Sequence, residues 1–99
     1  MNFGAAIEAV KAGQRAARAS WVAQNKFIYL NPGSVPANLV VEGEELINGV
    51  AADLFAVGDA DTVVRMPNFC LRSVDGSTVN GWLASQTDML AEDWVVLED

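Results

Sequence analysis

The sequence predicts a small α+β domain in which an antiparallel β-sheet is combined with an N-terminal helix and short additional helices. Three observations lead to this class: an amphipathic helical pattern at the start, a hairpin signal at Asp75-Gly76, and an apolar run near the end. A chain of 99 residues has room for one domain, residues 1–99, because a second would lack a hydrophobic core of its own.

The first third of the chain predicts a helix followed by two strands. Apolar residues recur at helical spacing over residues 4–12, and Gly13 supplies a natural left-handed stop. Residues 14–18 favour a short extended segment. The run FIYL, residues 27–30, is rich in strand-forming residues and ends at an Asn-Pro-Gly-Ser turn, so it is predicted to be a second strand.

The middle of the chain also carries helical spacing. Apolar residues keep that spacing over residues 44–56, two glutamates stand at the expected N-terminus, and Gly58 follows. We therefore predict a helix there, weakened by Gly49. The acidic segment 59–61 lacks the spacing of a calcium-binding loop, so a solvated turn is the better interpretation.

The last third predicts a hairpin, a short helix and a final strand. An Asp-Gly pair between two apolar runs predicts strands over residues 69–72 and 78–83. Ser85 and Asp88 have the spacing of a capping box, with Asp in place of the usual Glu, and predict a short helix. The apolar run 94–97 is predicted to be a strand.

Composition excludes several kinds of chemistry. The chain has no histidine and one cysteine, Cys70, which excludes Ser-His-Asp and Cys-His catalysis, ordinary zinc sites and an internal disulfide. The single cysteine fits a reducing cytosol. The remaining candidate acids and bases are carboxylates, and Asp88 and Asp93 are five residues apart, a spacing that does not place them on one helix face. We expect no catalytic residues, no metal and no cofactor.

The charge distribution limits the partners. The net charge is −7, yet residues 1–30 hold four cations and one acid, whereas residues 31–99 hold two arginines and twelve acids. Such a chain repels long nucleic acids, whose binding depends on many phosphate contacts. Solubility explains most of the charge. A small anion remains possible, because it needs one or two cations in a pocket. No apolar run approaches a membrane span and no secretory pattern follows Met1, so we expect no membrane partner.

The three tryptophans stand in different contexts. Trp94 opens the terminal apolar strand and is expected in the core. Trp21 lies between the basic segment and the polar residues 24–26, and Trp82 lies just before the predicted C-terminal helix. An indole near a cation offers a stacking face together with a charge, and a helix N-terminus favours an anion. For Trp21 and Trp82, core packing and ligand stacking both remain open.

The polar segment at that helix start is equally ambiguous. Capping accounts for Ser85 and Asp88. It does not account for Gln86 and Thr87, whose amide and hydroxyl groups can bond base edges, ribose hydroxyls or phosphates.

The opening MNFGAAIEAVKAGQRAARASW, the strand FIYL and above all WLASQTDMLAEDW resemble a family of small phage and prophage proteins, the Thoeris anti-defence proteins of the second type. The match covers roughly residues 1–34 and 66–98, and residues 35–65 look like a variable insert. The resemblance implies a sponge in the cytoplasm of the infected bacterium. Such proteins bind the cyclic ADP-ribose-type signal made by Thoeris TIR proteins and hold it uncleaved, so the downstream effector lacks its activator.

The resemblance also implies an assembly and a set of contacts. Family members form homotetramers with signal pockets between subunits, and some bind cyclic dinucleotides at a separate site. Trp21 and Trp82 match tryptophans of the family and would stack on the ligand, Phe27 would supply an apolar wall, and Arg18 would face a phosphate. The polar contacts would come from Ser85, Gln86, Thr87 and Asp88, with Asp88 suited to ribose hydroxyls or an adenine amino group.

Two other classes of function stay open. One is a phage structural or regulatory module whose aromatic residues bury a protein partner. The other is a nucleotide-degrading enzyme, which the absence of histidine disfavours. A sponge must hold its signal at nanomolar concentration, a binding free energy of about −12 kcal/mol, which a shallow monomer surface rarely supplies. We therefore expect the pocket to borrow a neighbouring subunit's surface.

Overall fold

The computed structural model describes residues 1–36, 46–47, 49–51, 54–58 and 65–98. In chain order, the elements are α1 (Phe3–Lys11), β1 (Arg15–Arg18), α2 (Ala19–Val22), β2 (Phe27–Asn31), β3 (Ser34–Pro36), β4 (Leu46–Ile47), β5 (Val50–Ala51), β6 (Ala56–Gly58), β7 (Asn68–Arg72), β8 (Thr78–Asn80), α3 (Gln86–Leu90) and β9 (Trp94–Leu97).

The main sheet has five strands in the order β8-β7-β2-β1-β9, and each neighbouring pair is antiparallel. This confirms the predicted α+β class, with its N-terminal helix, short additional helices and antiparallel sheet. The strands predicted from the FIYL run, the hairpin and the terminal apolar run all lie in this sheet. The N-terminal and C-terminal segments meet at one edge, where β1 pairs with β9.

Helix α1 begins and ends as its sequence predicts. The Asn2 side chain accepts a hydrogen bond from the Ala5 N–H at 2.8 Å, which satisfies one of the free donors of the first turn. Gly13 adopts φ +96°, and the Gln14 N–H returns to the Ala9 carbonyl at 3.0 Å. This pattern is the Schellman motif, which glycine permits at low cost.

The β7–β8 hairpin forms at the predicted Asp-Gly turn. Gly76 takes φ +88°, and the Asp75 carboxylate accepts from both the backbone N–H and the hydroxyl of Ser77, at 3.0 and 2.6 Å. The returning strand is shorter than predicted. It ends at Asn80, because Gly81 turns the chain at φ +75°.

The helix predicted over residues 44–56 is wrong. The described residues of this segment form the two short strands β4 and β5, which pair antiparallel, and then β6, which pairs in parallel with β3. Gly49 adopts φ +81° between the paired residues Ile47 and Val50, a turn conformation that an α-helix excludes. The acidic segment 59–61 lies outside the described residues.

The strand register sorts side chains onto two faces of the main sheet, because successive side chains point to opposite faces. The tryptophan face carries Ala16, Ile28 and Trp94. Ala16 of β1 is paired with Ile28 of β2, and Arg18 of β1 is paired with Trp94 of β9. Helix α1 packs on this face, where the rings of Phe3 and Trp94 lie 5.5 Å apart. Ile28, Trp94 and Ala16 are completely buried, so much of the core lies here, although Ala17 and Phe27 of the opposite face are buried in the same cluster.

The opposite face of the sheet, the arginine face, carries Arg15, Phe27 and Arg72. Phe27 is paired with Arg72 across β2 and β7, and cross-strand partners share a face. A smaller cluster adjoins the main core, where Val50 and Phe55 are buried against Leu54 and against Leu30, which packs on both clusters. Among the described helices, we find none long and apolar enough to cross a bilayer.

Candidate functional site

The three tryptophans form one cluster on the tryptophan face. Trp94 is fully buried, and its ring lies 5.2 Å from that of Trp21 and 6.5 Å from that of Trp82. The rings of Trp21 and Trp82 are 6.3 Å apart. The interplanar angles of 69° to 87° are edge-to-face arrangements, which the indole quadrupole favours. Trp94 is therefore a core residue, as predicted.

Trp21 is also buried within the single chain. Only 9% of its surface is exposed, and the ammonium group of Lys26 lies 4.4 Å from the ring centroid. A cation over an indole face is an attractive contact. Packing, one of the two roles left open for Trp21, is the role that the monomer shows. Its stacking on a ligand stays a prediction and would require Lys26 to move or to contact the ligand as well.

Trp82 differs from its two neighbours because it is only partly buried. It follows the turn at Gly81, and its backbone N–H donates to the Phe69 carbonyl at 2.8 Å. The inner edge of the ring is thus fixed by contacts with tryptophans while part of its surface faces solvent. Of the three indoles, Trp82 is the one whose position suits a stacking contact.

Arg18 holds the helix α3 to the sheet. Its Nε donates to Asp93 Oδ1 at 3.0 Å and its Nη1 donates to Asp88 Oδ1 at 3.2 Å. These hydrogen bonds raise the pKa of Arg18, and the bond from Arg18 is the main reason that the pKa of Asp93 lies below its usual value. A guanidinium has five N–H donors, so two carboxylate bonds leave it able to contact a phosphate as well.

The start of α3 shows the predicted capping on one side only. The Ser85 hydroxyl accepts from the Asp88 N–H at 3.1 Å, as in a capping box. The Asp88 carboxylate, however, turns to Arg18. The Asp88 carbonyl accepts from Trp94 Nε1 at 2.9 Å. Gln86 and Thr87 are exposed on the first turn, so their side chains are accessible to a ligand.

The structure brings together most of the predicted ligand-binding residues, but not all. A continuous chain of contacts links Trp82 to Trp21 and Trp94, Trp94 to Asp88, and Asp88 to Ser85 and Arg18; Gln86 and Thr87 lie between Ser85 and Asp88 in sequence. Phe27 lies elsewhere. It belongs to the arginine face and lines a different cavity, although it is part of the same buried core cluster as Trp21 and Trp94, so its role as a pocket wall stays a prediction. Whether any of these residues binds a ligand stays a prediction.

Sequence reasoning missed two participants. Asp93 does share a site with Asp88, although the two are not on one helix, because the loop between α3 and β9 returns it to Arg18. Lys26 covers Trp21 after a left-handed turn at Asn25, which has φ +56°. The sequence signal for this contact was the alternation of basic and aromatic residues around Trp21 and Lys26. Within the described ranges, no group of three or more Asp, Glu or Cys side chains could hold a metal ion.

These features define the class of protein: a small α+β domain whose candidate site is an aromatic cluster joined to an arginine–carboxylate network. The Thoeris anti-defense 2-like domain model matches residues 1–97, so the chain belongs to that family. A similar protein is Thoeris anti-defense 2 of Bacillus phage SP01, 28% identical over 98 residues, which are 98% of this chain and 94% of the phage protein. The resemblance inferred from the motifs is confirmed, and it supports a role in phage anti-defence.

Proposed function

We propose that the protein is a sponge that binds a cyclic nucleotide immune signal of the cyclic ADP-ribose type and holds it without cleaving it. It would act in the cytoplasm of the infected bacterium as a homotetramer, where each captured molecule is withheld from the effector of the defence system. Cyclic dinucleotides would be further ligands. The observation that carries the proposal is the partly exposed ring of Trp82 beside the Arg18–Asp88 ion pair, in a chain of this family.

The aromatic part of this site supports recognition of a base. Base–aromatic stacking contributes about 1–3 kcal/mol per base, and it tolerates different bases because each has a π face. Trp82 is braced from behind by Trp21 and Trp94, so its orientation is set before a ligand arrives. A ring that is already ordered loses less side-chain entropy on binding.

The charged part supports recognition of a phosphate within an acidic protein. Arg18 remains partly accessible, with 23% of its side chain exposed, and two carboxylates hold its guanidinium in place. Because these carboxylates neutralise much of its charge, we expect a hydrogen-bonding role for Arg18 more than long-range attraction. Lys26 over Trp21 supplies a second cation near the cluster. Gln86 and Thr87 would add neutral donors and acceptors.

The surface around α3 supports a pocket completed by a neighbouring subunit. Leu83 is 89% exposed and Leu90 is 80% exposed; Leu83 precedes the polar first turn of α3, and Leu90 is the last residue of the helix. A contiguous exposed apolar patch commonly marks an interface, and we propose that these leucines belong to one. A second copy packed on these leucines would cover the ring of Trp82 and exclude water from the ligand. The exclusion of water strengthens each polar contact.

The same residues give no support to cleavage. A general acid at neutral pH needs a carboxyl whose pKa is raised, whereas the Arg18 hydrogen bond lowers the pKa of Asp93. Asp88 is engaged by the same arginine. The arrangement is therefore suited to holding a ligand rather than to transferring its protons.

The test is capture and release. The purified protein is incubated with the cyclic ADP-ribose-type signal, passed through a size filter, heat-denatured, and the released nucleotides are separated by chromatography. We expect intact signal from the wild type and from Val74→Ala, a matched control at an exposed hairpin position, and almost none from Trp82→Ala. Release of linear products would indicate an enzyme. No retention at micromolar protein would contradict the sponge and favour a module that binds a protein partner through its exposed leucines.

A further inference from the structure

The two edges of the main sheet are exposed to different degrees. At the β9 edge, the Trp94 N–H donates to the Met1 carbonyl at 3.1 Å, so the start of that strand is already paired on its outer side. At the β8 edge, all three strand residues, Thr78, Val79 and Asn80, are exposed. An exposed edge strand presents N–H and C=O groups with which another strand can pair. The β8 edge is therefore a candidate interaction surface.

The hydrogen bonds of the β7–β8 hairpin show which main-chain groups of β8 face outward. The Ser73 N–H donates to the Ser77 carbonyl at 2.8 Å. In an antiparallel pair, residues that exchange main-chain hydrogen bonds alternate with residues that do not. Val79 is two residues beyond Ser77, so its N–H and C=O groups bond to β7. The main-chain groups of Thr78 and Asn80 consequently point away from β7, toward solvent.

We propose that β8 pairs antiparallel with β8 of a second copy of this chain, so that two five-stranded sheets become one continuous sheet. The inference rests on the homotetramer of the proposed function and supplies one of its interfaces. A tetramer with dihedral symmetry needs more than one kind of self-complementary contact, and the contact at the leucines beside α3 is another.

The sequence of β8 is complementary to itself in this arrangement. When the two-fold axis passes beside Val79, Thr78 of one copy lies opposite Asn80 of the other, and each such pair exchanges two main-chain hydrogen bonds. Their hydroxyl and amide side chains share the arginine face, because Thr78 is paired with Arg72, and can bond across the junction. The two Val79 residues form the intervening pair, in which side chains lie closest. Val79 is 45% exposed in the single chain, and the pairing buries this apolar surface.

The β8 edge lacks the charged or proline residues that commonly prevent strand pairing. Natural edge strands often carry a lysine, a proline or an inward-pointing charge, whereas residues 77–80 read Ser-Thr-Val-Asn. The lack of charge matters in a chain with a net charge of −7, because two copies can meet along this strand without placing like charges directly opposite. Gly81, at φ +75°, turns the chain and ends the strand, and the two-fold contact closes on itself, so the pairing stops at two copies.

The first experiment measures the molar mass of the full chain by sedimentation at micromolar concentration. Val79→Lys places two ammonium groups side by side at the two-fold axis, and we expect the molar mass to fall by half. Val95→Lys is the matched control, because Val95 is 36% exposed on β9, the other edge strand, and the mass should stay that of the wild type. Thermal melting checks that both variants fold. An unchanged mass for Val79→Lys, an equal loss of mass for both variants, or a monomeric wild type would overturn the proposal.

The second experiment uses the wild type alone, since a substitution can also unfold the hairpin. Residue-resolved amide hydrogen exchange should find the N–H groups of Thr78, Val79 and Asn80 all protected. Val79 is the internal control, because its N–H is bonded within the hairpin whether or not β8 has a partner. An alternating pattern, in which Thr78 and Asn80 exchange at least about tenfold faster than Val79, contradicts the strand pairing.

Capture of the cyclic signal, measured on the same samples, separates this inference from the sponge function. A wild type that captures the signal but shows the alternating exchange pattern supports the sponge and refutes the pairing of β8. A wild type that captures nothing, yet loses half its mass on Val79→Lys and protects all three amides, supports the pairing of β8 and refutes the sponge.

Discussion

The two faces of the main sheet use the same kinds of side chain in opposite ways. On the tryptophan face, the rings pack against one another and Arg18 is held by two carboxylates, so charge is neutralised within the chain. On the arginine face, Arg15 and Arg72 lie over the ring of Phe27, and both line the cavity beside it.

The difference shows two ways in which a fold positions an arginine. A guanidinium engaged by Asp88 and Asp93 acts chiefly as a brace, because its field is cancelled at short range. A guanidinium that lies over an aromatic ring, as those of Arg15 and Arg72 lie over Phe27, is attracted by the face of the ring. Successive side chains of β1 point to opposite faces of the sheet, so Arg15 and Arg18, which are three residues apart, lie in these two environments.

The largest effect is expected for Trp94, which joins the whole tryptophan face. Trp94→Ala should lower the free energy of unfolding by about 3–5 kcal/mol, because it opens a cavity in the core and removes a hydrogen bond to α3. Val74→Ala, at a position 62% exposed, should change it by less than about 0.5 kcal/mol. Urea unfolding followed by circular dichroism gives both values. Similar values for the two variants would show that the tryptophan cluster is not the core.

Trp82 separates binding from packing on the same face. Trp82→Ala should reduce capture of the cyclic signal by about ten- to a hundredfold, the loss of one stacked base, while the fold persists because the ring is only partly buried. Filter retention measures the capture, and thermal melting measures the fold. If Trp82→Ala unfolds the protein, Trp82 is needed for packing. If Trp82→Phe then restores the melting temperature but not the capture, the stacking contact requires the full indole. Unchanged capture by Trp82→Ala would remove Trp82 from the site.

Arg18 tests whether a braced arginine still contacts the ligand. Arg18→Ala should weaken the affinity for the cyclic signal by up to about tenfold, the value of one charge-assisted hydrogen bond. Because Asp88 and Asp93 offset much of its charge, the dependence of that affinity on salt should flatten only slightly. Titrations at two salt concentrations provide the measurement, with Arg65→Ala as the charge-matched control. An affinity and a salt dependence equal to those of the control would leave Arg18 a structural residue alone.

The smallest effect concerns the pH dependence of stability through Asp93. Its folded-state pKa lies below the value of 3.8 for a free side chain, so its contribution is present above about pH 4 and is lost as the pH falls through the folded pKa. Asp93→Asn should therefore melt at a slightly lower temperature than the wild type at pH 7, and the difference should shrink below pH 4. A difference that stays constant with pH would assign the effect to packing rather than to the carboxylate.

The elements that the sequence predicted well are those whose ends carry a chemical signal. Asn2 marks the start of α1 and Gly13 its end, and Asp75-Gly76 makes the hairpin turn. The segment 44–56 failed for the converse reason. Its apolar spacing suits a helix, but the spacing does not exclude short strands, and Gly49 took the turn conformation that separates β4 from β5.

The residue types of the candidate site were predictable from the sequence, whereas their arrangement in space was less so. The motif around Trp82 and Ser85 predicted one region of the structure, because those residues are close in sequence, and its binding role stays a prediction. Phe27 was assigned to the same pocket, yet strand alternation and the pairing of β2 with β7 carry it to the arginine face. Asp93 was set aside on helical spacing, and a loop returned it to Arg18.

The sequence by itself determined the α+β class, the caps and turns of the terminal thirds, and the family to which the chain belongs, since these depend on local chemistry and on motifs. Only the tertiary structure decided which arginine is braced by carboxylates and which lies on an aromatic ring. That choice depends on strand order and register, which bring together residues such as Arg18 and Asp88 from distant parts of the chain. Local preferences do not specify such long-range pairings, because their free energy appears only once the sheet has formed.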